Sequence, residues 1–306
     1  MPTNYLINLT LKLLSGAGGI DAQHRRKLTD CFLSFQTETG GFCGRRGSTD
    51  IYYTAFALRG LFLSGGLDDT ELQTSVRYYL QQERQQQLSA VELSSYIYSV
   101  SLLNLLTGAE MPPKEKQWAK EQLYRFRKED GCFGTSENTP YSSVYQTFLT
   151  AAALELLGET EEVRHIPIEP VLRRQCSDGG FAELKKLRYS GTNPTAAAAA
   201  FLKMQDTEPQ NRSAAVDFLL ARQTPDGGFQ ANTRIPVGDL LSSFTAVTAL
   251  NTLNAGERYD NAALNRFLRK LQLPSGGYRG AEWDTQGDVE YTFYGWALEL
   301  LLNGSY

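Results

Sequence analysis

Histidine and cysteine are scarce: the 306 residues hold 2 and 4 of them, and Cys31, Cys43, Cys132 and Cys176 form no CxxC pair. Soft-metal centres and disulfide frameworks are therefore poorly provided for, and the four cysteines read as free, mostly packed thiols. No apolar run approaches the roughly 20 residues that a membrane-spanning helix requires, and residues 1–10 lack the charged start and small-residue cleavage site of a secretory signal. An excess of charge is missing as well. Thirty basic residues against 34 acidic ones leave a net charge of −4, which argues against a nucleic-acid binder. With 42% hydrophobic residues, the chain reads as a soluble globular protein of the cytoplasm.

What the chain has is a repeat. Asp-Gly-Gly-Phe stands intact at 178–181 and 226–229, and altered at Thr39-Gly40-Gly41-Phe42, Asp130-Gly131-Cys132-Phe133 and Ser275-Gly276-Gly277-Tyr278. The aromatics at 133, 181, 229 and 278 lie 48, 48 and 49 residues apart, and Phe42 precedes Phe133 by 91, close to two periods. A fixed period of this length marks stacked supersecondary units. One unit has lost its marker, near Gln87-Leu88-Ser89, so six units are expected in one continuous domain over residues 1–306.

Each marker follows an amphipathic stretch that ends in Gln, as in 26–36, 213–223 and 261–272, and apolar residues at that spacing predict a helix. The glycines end it. After a polar loop a second helix begins, capped by Asp50, Asp239 or Asp288, or by Asn193 with Pro194 at its first position. Asp68-Asp69-Thr70-Glu71 reads as another helix start. The second helices are expected over 50–61, 142–157, 193–204, 239–253 and 288–302. They are apolar on nearly every face, as in Thr195-Ala196-Ala197-Ala198-Ala199-Ala200-Phe201, so they must be buried all round. An inner ring of apolar helices inside an outer ring of amphipathic ones is an all-α, α/α toroid of six helical hairpins, with a cavity on its axis.

Aromatics gather near the starts of the inner helices. Tyr53, Phe56, Tyr145, Phe148, Phe244, Tyr291 and Tyr294 are the candidates for lining that cavity, where a long apolar ligand would suit them. The loops that precede these helices carry Arg45 and Arg46, Lys185, Lys186 and Arg188, Arg234, and Arg279. They would share one end of the toroid with the positive helix N-termini, and Arg45, Arg234 and Arg279 are the candidate anion ligands. For any one of these residues, core packing or a solvated surface is the plainer reading. The set carries the argument.

The five markers, the stretch Tyr5-Leu6-Ile7-Asn8-Leu9 and the segment from Gly40 to Thr54 resemble the β subunits of protein prenyltransferases, over nearly the whole chain. The resemblance implies an aromatic funnel that holds an isoprenoid diphosphate, such as farnesyl or geranylgeranyl diphosphate, and a helical α-subunit-like partner. It also implies a zinc ion that activates an acceptor thiolate, held by an Asp-x-Cys motif and a histidine. Here those positions read Asp239-Leu240-Leu241 and Asp288-Val289-Glu290-Tyr291. Leu241 and Tyr291 replace two of the three ligands, so no zinc or other cofactor is expected. The family's diphosphate histidine falls near Ser190, its Arg and Lys pair is reduced to Arg234 with Pro236 near the lysine's place, and its peptide-contacting arginine is Tyr145.

Two functions compete on these residues. The first is binding of an isoprenoid diphosphate, with transfer of the prenyl group to an acceptor without zinc. The second is a non-catalytic toroid that binds a lipid or a protein, and no catalytic residue is assigned in either. A protonating terpene cyclase would need an Asp-x-Asp-Asp acid, and the chain has none. Glu92, Glu282, Asp284 and Glu290 could face the lumen as the paired carboxylates of glycoside chemistry, but their spacing does not select it.

Overall fold

The structure is a computed structural model that describes residues 4–187 and 189–304; of the basic loop residues, Arg188 lies outside the described residues. The described residues form helices joined by turns and isolated bridges. In chain order the first seven helices are α1 (Tyr5–Gly16), α2 (Ala22–Leu33), α3 (Ile51–Ser64), α4 (Thr70–Glu83), α5 (Ala90–Thr107), α6 (Pro113–Tyr124) and α7 (Val144–Leu156). The remaining seven are α8 (Thr160–Arg164), α9 (Glu169–Leu172), α10 (Thr192–Met204), α11 (Arg212–Leu220), α12 (Leu240–Thr252), α13 (Asn261–Leu271) and α14 (Val289–Asn303).

The apolar helices are the five expected, α3, α7, α10, α12 and α14, and a sixth, α5, whose range is not predicted from the sequence. The pair α4 and α5 is the unit without a marker. It is joined by residues 84–89, and Ser89 forms a capping box with Glu92 in place of the glycine turn. Asp50, Asp239 and Asp288 cap α3, α12 and α14 through the backbone N–H of Tyr52, Ser242 and Tyr291, and Asp69 caps α4. Asn193 does not cap α10. That helix starts at Thr192 with Gly191 before it, and the Asn193 Oδ1 accepts instead from the Thr245 hydroxyl at 2.7 Å. Pro194 then falls inside the first turn, where its missing N–H costs nothing.

The chain divides into two compact units. One comprises Met1–Ile7 and Lys120–Phe267; within it α10 packs between α7 and α12, with α11 against α10 and α12. The other comprises Asn8–Ala119 and Leu268–Tyr306; within it α3 packs between α5 and α14, with α2 against α3 and α4 against α5. Each unit is thus three apolar helices backed by amphipathic ones.

The five markers are built alike. In each, the N–H of Thr37, Lys128, Cys176, Thr224 or Leu273 donates to the carbonyl four residues on at 2.7–2.9 Å. The glycine before that carbonyl has φ between +82° and +99°, a conformation that favours glycine. The aromatic that follows is wholly buried, and its N–H donates to a hydroxyl on the next apolar helix, from Phe42 to Thr54, Phe133 to Thr147, Phe181 to Thr195, Phe229 to Ser243 and Tyr278 to Thr292, at 2.8–3.2 Å. A single hydroxyl at each marker therefore satisfies a backbone donor that water cannot reach. Thr195→Val keeps the shape and removes that acceptor. It should lower unfolding free energy by about 1–3 kcal/mol, while Thr195→Ser should cost far less; urea denaturation of the two variants checks this.

Candidate functional site

In the second unit, Tyr52, Phe56 and Arg59 recur along α3 at spacings of 4 and 3, which places them on one stripe. Gly60 lies outside that stripe, against the Phe32 ring of α2. The Phe56 ring meets Tyr52 at 4.9 Å, Tyr294 at 5.3 Å and Phe293 at 5.4 Å, and Tyr52 meets Tyr53 at 5.4 Å. Three predicted lining residues, Tyr53, Phe56 and Tyr294, thus belong to one aromatic cluster. Tyr291 is half-buried nearby, with the Arg45 guanidinium 6.0 Å from its ring centroid. Across the cluster's outer end the Tyr52 hydroxyl donates to Glu290 Oε1 at 2.6 Å. Burial raises the Glu290 pKa, the bond from Tyr52 opposes the rise, and the Asp288 charge adds to it.

The residues that sequence reasoning missed are the polar ends of this cluster. Arg59 lies over the Phe293 ring at 4.0 Å, with Tyr98 and Phe56 at 5.0 and 5.6 Å. A lone base on an otherwise apolar helix, three residues after Phe56, is the signal that could have found it.

Of the three candidate anion-binding arginines, two have their donors engaged. Arg45 makes a bidentate pair with Asp284 and donates Nε–H to Asp288 at 3.0 Å. Burial would raise the Asp284 pKa, but Arg45 and the neighbouring backbone N–H groups hold it below the usual carboxylate value. Arg279 donates to the carbonyls of Asp284 and Lys270 at 3.1 and 3.0 Å, which fixes its own loop. Arg234, in the first unit, is exposed and lies over the Tyr189 ring at 4.4 Å. Lys186 lies in the same way over Tyr141, at 4.3 Å.

The four candidate carboxylates are also committed. Glu92 closes its capping box, Glu282 pairs with Lys270 at 2.9 Å, Asp284 holds Arg45 and Glu290 accepts a hydrogen bond from the Tyr52 hydroxyl. Nothing in this arrangement pairs two acids across a bond to be cleaved.

In the first unit Phe244 is buried on α12. Phe148 on α7 meets the Tyr5 ring in a T-shaped pair at 5.8 Å. Tyr145 is 37% exposed, and its N–H donates to Glu183 Oε1 at 3.3 Å. The zinc considered above is not matched by the side chains present. Asp239 accepts from the Ser242 N–H at 2.7 Å and from its hydroxyl at 2.8 Å, and burial raises its pKa. Leu241 offers only hydrocarbon, and among the described residues no three His, Cys, Asp or Glu side chains gather as a metal-holding group.

Three comparisons give this geometry its setting. The family model of the prenyltransferase alpha-alpha toroid domain matches residues 1–82, 72–232 and 195–305. No curated protein's sequence matches the chain. Among solved structures, Candida albicans protein geranylgeranyltransferase-I complexed with GGPP is 16% identical, with 90% of each chain covered and a TM-score of 0.67. A variant of the type II terpene cyclase MstE from Scytonema, in complex with geranylgeranyl dihydroxybenzoate, is 14% identical, with 98% of this chain and 99% of that chain covered and a TM-score of 0.60. An inactive variant of an α-1,6-mannanase from Salegentibacter, with α-1,6-mannotriose, is 13% identical, with 92% and 98% covered and a TM-score of 0.58. The fold is the α/α toroid that the repeat predicts. At these identities the likenesses show that fold alone, and a fold shared by transferase, cyclase and glycosidase leaves function to the site. No helix among the described residues is long and apolar enough to cross a membrane.

Proposed function

The chain belongs to the prenyltransferase α/α toroid family, and we propose on that premise that it binds an isoprenoid diphosphate along the aromatic cluster of α3 and α14. The observation that carries the reading is the continuous set of ring contacts from Tyr53 through Phe56 to Tyr294, a surface that suits a prenyl chain and would shield an allylic cation. Two of the similar solved structures support the ligand class, since they hold GGPP and a geranylgeranyl substrate. The diphosphate then falls to Arg45 of the same unit, which takes it only by giving up Asp284 and Asp288. In this reading the protein works in the cytoplasm, and a helical α-subunit-like protein is its partner.

Titration of farnesyl and geranylgeranyl diphosphate against the wild type and Arg45→Ala tests the proposal. The wild type should bind, and the variant should bind about tenfold more weakly, as for the loss of one charge-assisted contact. No binding of either diphosphate to the wild type removes the reading. A second reading, a toroid that binds without transferring, is favoured by Leu241 and Tyr291 at the ligand positions and by the commitment of Asp239 to Ser242. Prenyl transfer to a thiol peptide, assayed with and without added metal, separates the two. Metal-dependent turnover would sink the second.

A further inference from the structure

Arg59 is the only base on the three apolar helices of the second unit, which also carry the acids Glu92, Glu290 and Glu299. Each acid already has partners. Glu92 closes the box on Ser89, Glu290 accepts from Tyr52, and Glu299 meets His24 Nε2 at 2.9 Å and the Tyr278 hydroxyl at 2.7 Å. Arg59 meets none of them. Among the described residues its guanidinium makes no hydrogen bond or ion pair and lies over the rings of Phe293, Tyr98 and Phe56. Its nitrogens are absent from the sealed, unpartnered polar atoms, so its N–H groups remain open to solvent or to a ligand.

Rings that hold a guanidinium by its face stabilise its charge and restrict its motion. They leave the N–H groups in the guanidinium plane free, in the fork that matches a planar carboxylate. The charge on offer is a single one, with no second base on these helices to neutralise a di- or trianion. We propose that Arg59 is the receptor for the carboxylate of a long-chain monocarboxylic acid whose hydrocarbon lies along Phe56 and the half-buried rings of Tyr52 and Tyr98. The site shares part of this aromatic lining with the isoprenoid reading but takes a different anion at a different base, so either can fail without the other.

Isothermal titration of wild type, Arg59→Met and Arg59→Lys with geranylgeranoic acid, palmitic acid, geranylgeraniol and geranylgeranyl diphosphate decides it. At least one acid should bind the wild type. Arg59→Met should weaken that acid about 10- to 100-fold, as loss of hydrogen bonds between charged groups does, while geranylgeraniol changes by less than about threefold. Arg59→Lys keeps the charge without the fork and should lie between. Palmitic acid binding in place of geranylgeranoic acid keeps the carboxylate site and removes the isoprenoid from it. Three outcomes overturn the site: neither acid binds the wild type, acid affinity is unchanged in Arg59→Met, or acid and alcohol weaken together, which would mark Arg59 as mere support for the rings. Diphosphate binding that ignores Arg59→Met, with no acid bound, sinks this site and leaves the isoprenoid reading in place.

Discussion

Gly227→Ala should lower stability by more than about 3 kcal/mol and with it the urea midpoint. Two costs add. At φ +99° an L-residue is strained by about 1–2 kcal/mol. A Cβ built there would also stand 2.6 Å from the Ala263 carbonyl carbon. That atom is backbone in α13, so it cannot swing aside as a side chain would, and the helix itself must shift. Gly47→Ala separates the two costs: its φ is +112°, yet nothing lies within 4 Å of the added methyl, so only the strain applies. Equal midpoints for Gly227→Ala and Gly47→Ala would show that α13 does not press on the marker turn.

This pair also marks what could be read in advance. A doubled glycine followed by an aromatic signals a left-handed turn and a buried ring, because only glycine adopts that turn cheaply and only a packed repeat keeps the ring. The capping aspartates were legible for the same reason: the side chain that satisfies a helix start lies two or three residues from it. Asn193 shows where such local reasoning ends. Its claim on the helix start was good, but its side-chain oxygen is taken by the Thr245 hydroxyl, brought in on α12 from the next repeat.

The candidate site was less legible, since its decisive contacts join distant parts of the chain. The spacing of Phe56 and Arg59 is visible in the sequence, whereas Tyr98 and Phe293, which complete the cage, come from two other helices. Asp284 stands 239 residues from Arg45. A basic loop residue therefore looked free for a diphosphate, and folding gave it two carboxylates instead.

The second large effect is expected at Arg174, which is buried where the third and fourth repeats meet. Its Nη2 donates to Ser142 Oγ at 2.5 Å and lies 3.8 Å from Asp130, and its Nη1 donates to the Glu183 carbonyl at 3.0 Å. Ser142 in turn donates to Asp130 at 2.5 Å, and Ser143 donates to the Glu183 carboxylate. Arg174→Met fills similar space but strips one charge from this buried network, which should cost about 3–5 kcal/mol at pH 7. The loss should depend on pH through Glu183. Burial raises the folded pKa of Glu183 while Ser143, the Tyr145 N–H and Arg174 restrain it, so removing Arg174 raises it further. A raised folded pKa contributes stability that is full below the unfolded value of about 4.3 and is lost as pH rises through the folded one. The variant's deficit should therefore grow between pH 4 and pH 7. Arg174→Lys, which keeps the charge and forfeits the fork, should lose hydrogen bonds but little of this pH dependence. Equal deficits for Arg174→Met at the two pH values, in urea melts, would mean that Arg174 acts there through its hydrogen bonds alone and not through its charge on Glu183.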